Sequence, residues 1–192
     1  HASPQQVGSD RPDRPTMAYS APFRLGISAC LLGEEVRHDG GHKRDTGLID
    51  ALGSLVEWVS VCPEVEIGLG TPREPIRLVR RTDGRVELVS VETQIDLTQR
   101  MRAHARQRVK EFEQLGLDGY VFKRDSPSCG VFRVPVWSEA GAPDGAGRGL
   151  FAEELMRALP AMPVEEEGRL HDAHLREHFI ERLSAYRETK TS

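Results

Sequence analysis

Three short apolar runs are set at wide intervals along the chain, FRLGISA (residues 23–29), VEWVSV (56–61) and DGYVF (118–122), with helical periodicity between them. Strands separated by helices cannot pair through tight turns, so this alternation predicts an α/β domain with a mainly parallel sheet. Asp45 is a fitting cap for a helix over residues 46–55, where Leu48, Ile49, Leu52 and Leu55 share one side. IRLV and VELVSV flank Thr82-Asp83-Gly84-Arg85, and Asp-Gly between apolar runs predicts a β-hairpin. Asp96 and Gln99 fit a capping box opening a long helix, whose stripe is Leu97, Met101, Ala105, Val109, Phe112 and Leu115, with Gly116 as its stop. PEVEIGLGTPREP after Cys62 and the Gly-rich stretch 141–149 read as loops, and two helices, 150–159 and 175–186, follow.

The first sixteen residues stand apart. Pro4, Pro12 and Pro15, the near absence of large apolar side chains and a leading His suit a disordered tag or linker over 1–16, with Met17 as the natural start. Residues 17–140 are then expected to form the core, and 141–192 a helical extension of the same domain. The balance of 26 Lys and Arg against 30 Asp and Glu, net −4, offers no general attraction to nucleic acid. No stretch approaches the roughly eighteen apolar residues of a membrane span, so the expected place is the cytoplasm.

Cysteine carries the chemistry. There are three, Cys30, Cys62 and Cys129, an odd and widely spaced set that makes no disulfide framework. Each is expected just past the end of a strand, and in parallel sheets ligands gather at that edge. Free cysteine often acts as a small buried hydrophobe, but Cys62 precedes Pro-Glu and Cys129 sits in Ser-Pro-Ser-Cys-Gly, which is poor core company. Structural zinc prefers close Cys pairs, and no C-x-x-C is present. A zinc site with three thiolates near His38 or His42 remains open, as does an iron–sulfur cluster, in which three cysteines leave one iron without a protein ligand. Spacing does not choose between them. Glu64, two residues beyond Cys62, could serve as acid or base, Ser126 could donate a hydrogen bond, and Arg37, Lys43, Arg73 and Lys123 could attract an anionic group. Gly68-Leu69-Gly70 lacks the third glycine of a phosphate loop.

Three long blocks, CLLGEEVRHDGGHKRD, VCPEVEIGLGTPREPIRLV and FKRDSPSCG, resemble in order and spacing the signature of the thiouracil desulfidase family, over residues 23–137. The tail GLFAEELMRALPAMPVEEEGRLHDAHLREHFIERLSAYR is similar to the form found ahead of a second C-terminal domain, so the chain is either a stand-alone form or one ending at that boundary. The resemblance implies a Rossmann-like three-layer fold and a [4Fe-4S] cluster held by Cys30, Cys62 and Cys129. It further implies removal of sulfur from a thiolated uracil, as base, nucleotide or part of tRNA, with Glu64 as acid/base and Ser126 as a supporting hydroxyl. Asp39, Lys43 and Ser128, in the same blocks, are expected substrate contacts. His38 stands where the family more often has Tyr, which bears on substrate preference. Two other readings stay in view. One is a zinc- or thiol-dependent hydrolase in which Cys129 attacks; the other is a non-catalytic module for thiolated RNA, using Arg80, Arg81, Arg100, Arg102, Arg106 and Arg108 as a basic patch.

Overall fold

A computed structural model describes residues 21–191; the tag-like segment and Met17 lie outside the described residues. The first run forms β1 (Phe23–Ser28) and passes into a 3-10 turn at Ala29–Leu32. Asp45 caps α1 (Thr46–Leu52), its Oδ1 accepting from Leu48 N at 3.0 Å. This helix is shorter than expected, because Gly53 at φ 45° turns the chain into a 3-10 segment, Gly53–Leu55. Then follow β2 (Val56–Val61), a single helical turn α2 (Pro63–Glu66), β3 (Ile76–Arg80), β4 (Val86–Ser90), α3 (Thr98–Leu115) and β5 (Gly119–Phe122). The chain continues through β6 (Val134–Ser138), β7 (Pro143–Gly147), α4 (Leu150–Ala158), β8 (Val164–Glu166) and α5 (Ala173–Thr191).

Sheet A has the order β2-β1-β5-β8 with every neighbouring pair parallel. Side chains alternate across it as a pleated strand requires. Phe23, Leu25, Ile27 and Val121 face Leu48 and Leu52 of α1 and Phe179 and Leu183 of α5. On the other face Tyr120 and Phe122, stacked at 4.0 Å, meet Met101, Ala105 and Phe112 of α3 and Phe151 and Leu155 of α4. Helices on both faces of a mainly parallel sheet make the three-layer, Rossmann-like arrangement. Gly26 lets β1 and β5 sit this close, since a Cβ there would come within 2.3 Å of the Tyr120 ring.

The hairpin β3–β4 is antiparallel as expected, and it lies in a second sheet, β4-β3-β6-β7, whose Leu78, Leu88, Val134 and Val136 share the core of Tyr120 and Phe122. Three other sequence readings need correction. The loop expected at 141–149 contains β7, paired antiparallel with β6. The loop after Cys62 begins as α2, with Pro63 at its first position, where its missing N–H costs nothing. Asp96 does not close a capping box: its Oδ1 accepts from Thr98 N at 2.9 Å, and Leu97 is the N-cap. Among the described residues no helix is long and apolar enough to cross a membrane.

Candidate active site

Because β2, β1 and β5 are parallel neighbours, their carboxyl ends share one edge. Cys30 lies on the 3-10 turn after β1, Cys62 is the residue between β2 and α2, and Cys129 is carried on the loop after β5. All three are free thiols lining one cavity of about 450 Å³, within the roughly 300–1,000 Å³ usual for small-molecule sites.

Local bonding fixes each thiol. The segment after Cys30 folds back, Lys43 N donating to Cys30 O at 2.9 Å and Asp45 N to Leu31 O at 2.9 Å. Glu66 N donates to Cys62 O at 2.9 Å, closing the helical turn that sets Glu64 on the cavity wall. Around Cys129, Ser126 Oγ accepts from Ser128 N at 3.2 Å and Cys129 N at 3.0 Å, a side-chain turn that shapes the loop. Gly130 is needed there, since a Cβ would meet Ser126 O at 2.9 Å.

Glu64 is gripped at both oxygens. Oε2 pairs with Arg73 Nη2, and Oε1 accepts from Ser128 Oγ at 3.1 Å. The side chains of Arg73 and Glu64 are only 5% and 17% exposed. Arg73 is itself seated by Nη1 on Gly70 O at 2.9 Å and by its backbone N on His38 O at 2.8 Å. A guanidinium so placed keeps the carboxylate's plane and orientation fixed.

The expected site residues separate on this geometry. Glu64, Ser126, Ser128, Lys43 and the three cysteines line the cavity. Asp39 does not: it is exposed and its Oδ1 accepts from Gly41 N at 2.8 Å. The hydroxyl that reaches Glu64 is that of Ser128, while Ser126 serves the loop backbone. Ser28, absent from the sequence reading, also lines the cavity. It is buried, accepts from Lys123 N at 2.9 Å and hydrogen-bonds the Cys129 thiol. Its place at the end of the expected strand, two residues before Cys30, was the available signal. The six arginines expected as an RNA patch are engaged: Arg80 with Asp144, Arg81 with Glu87, Arg100 with Ile67 O, Arg102 and Arg106 with Glu154, and Arg108 with Glu66 and Glu111.

Burial pushes all three thiols up, Cys129 well above its ordinary value. For Cys30, Arg37 and Lys123 oppose the effect; for Cys129, the Ser28 hydrogen bond does. A buried neutral thiol is a poor nucleophile, and no histidine hydrogen-bonds a cysteine among the described residues, which leaves a Cys129 hydrolase without its activated sulfur. Nor are three His, Cys, Asp or Glu side chains gathered there tightly enough to share one metal ion. Thiolates on one zinc, each about 2.3 Å from it, would stand about 3.8 Å apart, whereas the ligands of a four-iron cluster bind separate irons and stand wider. Three soft thiols carried by different elements around one cavity are a donor set of the kind that holds such a cluster. The residues present fit a cluster.

Residues 25–167 match the model of a family described as 2-thiouracil desulfurase. An uncharacterized protein, YbbK, of Bacillus subtilis (strain 168) is 29% identical over 109 residues, 54% of this chain and 71% of that protein. Among solved structures, a [4Fe-4S]-dependent thiouracil desulfidase, TudS, superposes with a TM-score of 0.59 at 30% identity, covering 77% of this chain and 93% of its own.

Proposed function

The chain belongs to the 2-thiouracil desulfurase family, and from that premise we propose that it is a cytoplasmic desulfidase acting on thiolated uracil, as base or nucleotide, with a [4Fe-4S] cluster bound by Cys30, Cys62 and Cys129. The observation that carries the reading is the meeting of three free thiols at one strand edge around a cavity whose wall holds a clamped carboxylate. Bound there, the cluster supplies a thiophilic, Lewis-acidic position for the substrate's sulfur.

The remaining work falls to the chain. Glu64, oriented by Arg73 and Ser128, takes a proton from water as the water oxygen adds to the thiocarbonyl carbon. It returns that proton as the C–S bond breaks, so a carbonyl replaces the thiocarbonyl and the sulfur leaves as hydrogen sulfide. One water is consumed and no net electrons move. Arg37 and Lys43 line the cavity, have no carboxylate partner among the described residues, and favour a substrate bearing an anionic substituent. A tRNA substrate finds less support, because the arginines that would have formed its patch are already paired.

The test is anaerobic reconstitution with iron and sulfide, followed by sulfide release from 4-thiouracil and 4-thio-UMP. Release is expected from a brown, iron-loaded protein. A loaded protein that releases sulfide from neither compound overturns the desulfidase reading. Bound zinc in place of iron, with a colourless active protein, would favour the hydrolase.

A further inference from the structure

The sequence run Glu165-Glu166-Glu167 looks like a solvated acidic patch, yet all three residues are buried, at 4%, 8% and 6% exposure. Buried carboxylates are rare unless engaged. Glu165 turns to Arg169 and Arg182. The other two turn to the loop that carries Cys129, and they meet it at opposite ends. At its start, Glu167 Oε2 accepts from Arg124 N at 2.8 Å and Oε1 pairs with Lys123 Nζ at 3.1 Å. Beyond the cysteine, Glu166 Oε2 accepts from Val131 N at 2.8 Å and Phe132 N at 3.4 Å.

We propose that Glu166 and Glu167 are positioning residues for Cys129, two carboxylates at the end of β8 that hold the loop so that its thiol faces the cavity. The inference rests on the reading of Cys129 as a cluster ligand. The topology makes the brace possible, because β8 is the strand next to β5, with Phe122 opposite Glu166. Carboxylate acceptors hold backbone N–H groups more strongly than neutral ones. Val131 N is buried, so without Glu166 it would lose its partner in a place water does not reach. The Ser126 hydroxyl and the first turn of α4, where Ala152 N donates to Ser128 O at 3.1 Å, fix the middle of the loop. At its two ends the glutamates are joined by Ser28 Oγ, which accepts from Lys123 N at 2.9 Å, and by Arg148 Nε, which donates to Val131 O at 3.4 Å.

The experiment compares Glu166→Ala, Glu167→Ala, Glu166→Gln and the parent protein in two assays. One measures retention of a reconstituted cluster against a chelator, followed by its visible spectrum. The other measures alkylation of each cysteine in the metal-free protein, read peptide by peptide, with circular dichroism and thermal unfolding alongside. Both alanine variants are expected to hold the cluster about 10–100-fold less tightly and to expose Cys129 to alkylation selectively, with Cys30 and Cys62 unchanged. Glu166→Gln, whose amide oxygen still accepts from Val131 N, should restore most of both. Parental chelator resistance and Cys129 labelling in folded Glu166→Ala overturn the proposal, as does equal acceleration at all three cysteines. Neither assay needs turnover. A parent protein that loads iron but releases no sulfide refutes the proposed function while leaving this inference to stand or fall on the labelling.

Discussion

At the scale of single residues, the two serines of SPSC have different work. Ser128 Oγ donates to Glu64, whereas Ser126 Oγ accepts from the amides of Ser128 and Cys129. Ser128→Ala should therefore lower kcat, by about 10–100-fold for a hydrogen bond to a charged group, with cluster loading intact. Ser126→Ala should act on loading first; iron content measured beside kcat separates the two. Glu64→Gln should keep the cluster and lose about 10²–10⁴-fold in sulfide release, and full activity in that variant would remove Glu64 from its role. Arg73→Ala should lower kcat with little change in KM, because it frees the carboxylate's orientation rather than removing a substrate contact. The residue types at this site were legible in the sequence: thiols, a carboxylate and hydroxyls in turn-forming company. Which serine meets the carboxylate was not, because the contact spans residues 64 and 128, and only the fold brings α2 beside the Cys129 loop.

At the scale of elements, the loop after β5 and the start of α4 are one unit. A Cβ on Gly149 would lie 2.5 Å from Ser128 C and O and 2.8 Å from Cys129 N, all backbone atoms that cannot swing aside. Gly149→Ala should cost about 1–3 kcal/mol in stability and reduce cluster loading with it, as measured by denaturant unfolding and iron content. The strands β1, β2, β3, β4 and β5 were legible because short apolar or alternating runs report a half or fully buried strand directly. Three others were silent. β6 contains Pro135, an exposed edge-type residue; β7 is PDGAG, without one large apolar side chain; and β8 buries glutamates that ion pairs and backbone donors make tolerable. Each of these depends on partners distant in sequence, which no local periodicity records. The long helix α3 was read with the right stripe, although Leu115 at its end is 40% exposed.

At the scale of the whole molecule, Asp118 ties the last helix to the first strand. Its carboxylate accepts from Arg24 N at 2.8 Å, Arg187 Nη2 at 2.7 Å and Lys190 Nζ at 2.9 Å. Burial opposes its ionisation, but those donors outweigh it and hold the carboxyl below its ordinary range. A depressed carboxylate stabilises the fold above the unfolded value, near pH 4, and that stability is lost as pH falls through the folded value. Asp118→Asn should thus cost about 1–3 kcal/mol at neutral pH, and its deficit against the parent should shrink toward pH 3 in denaturant titrations.

The sheet order also sets a schedule for synthesis. Cys30 and Cys62 follow the first two strands of the described residues, β1 and β2, Cys129 arrives after β5, and the carboxylates that brace its loop come from residues 166 and 167. A growing chain therefore shows two thiols without their third from residue 62 until residue 129 is added, and has no finished receptacle until β8 has emerged. Under the proposed function, loading of the site awaits the emergence of β8, and a chain ending between residues 129 and 164 would carry all three sulfurs but not the carboxylates that brace the loop of the last.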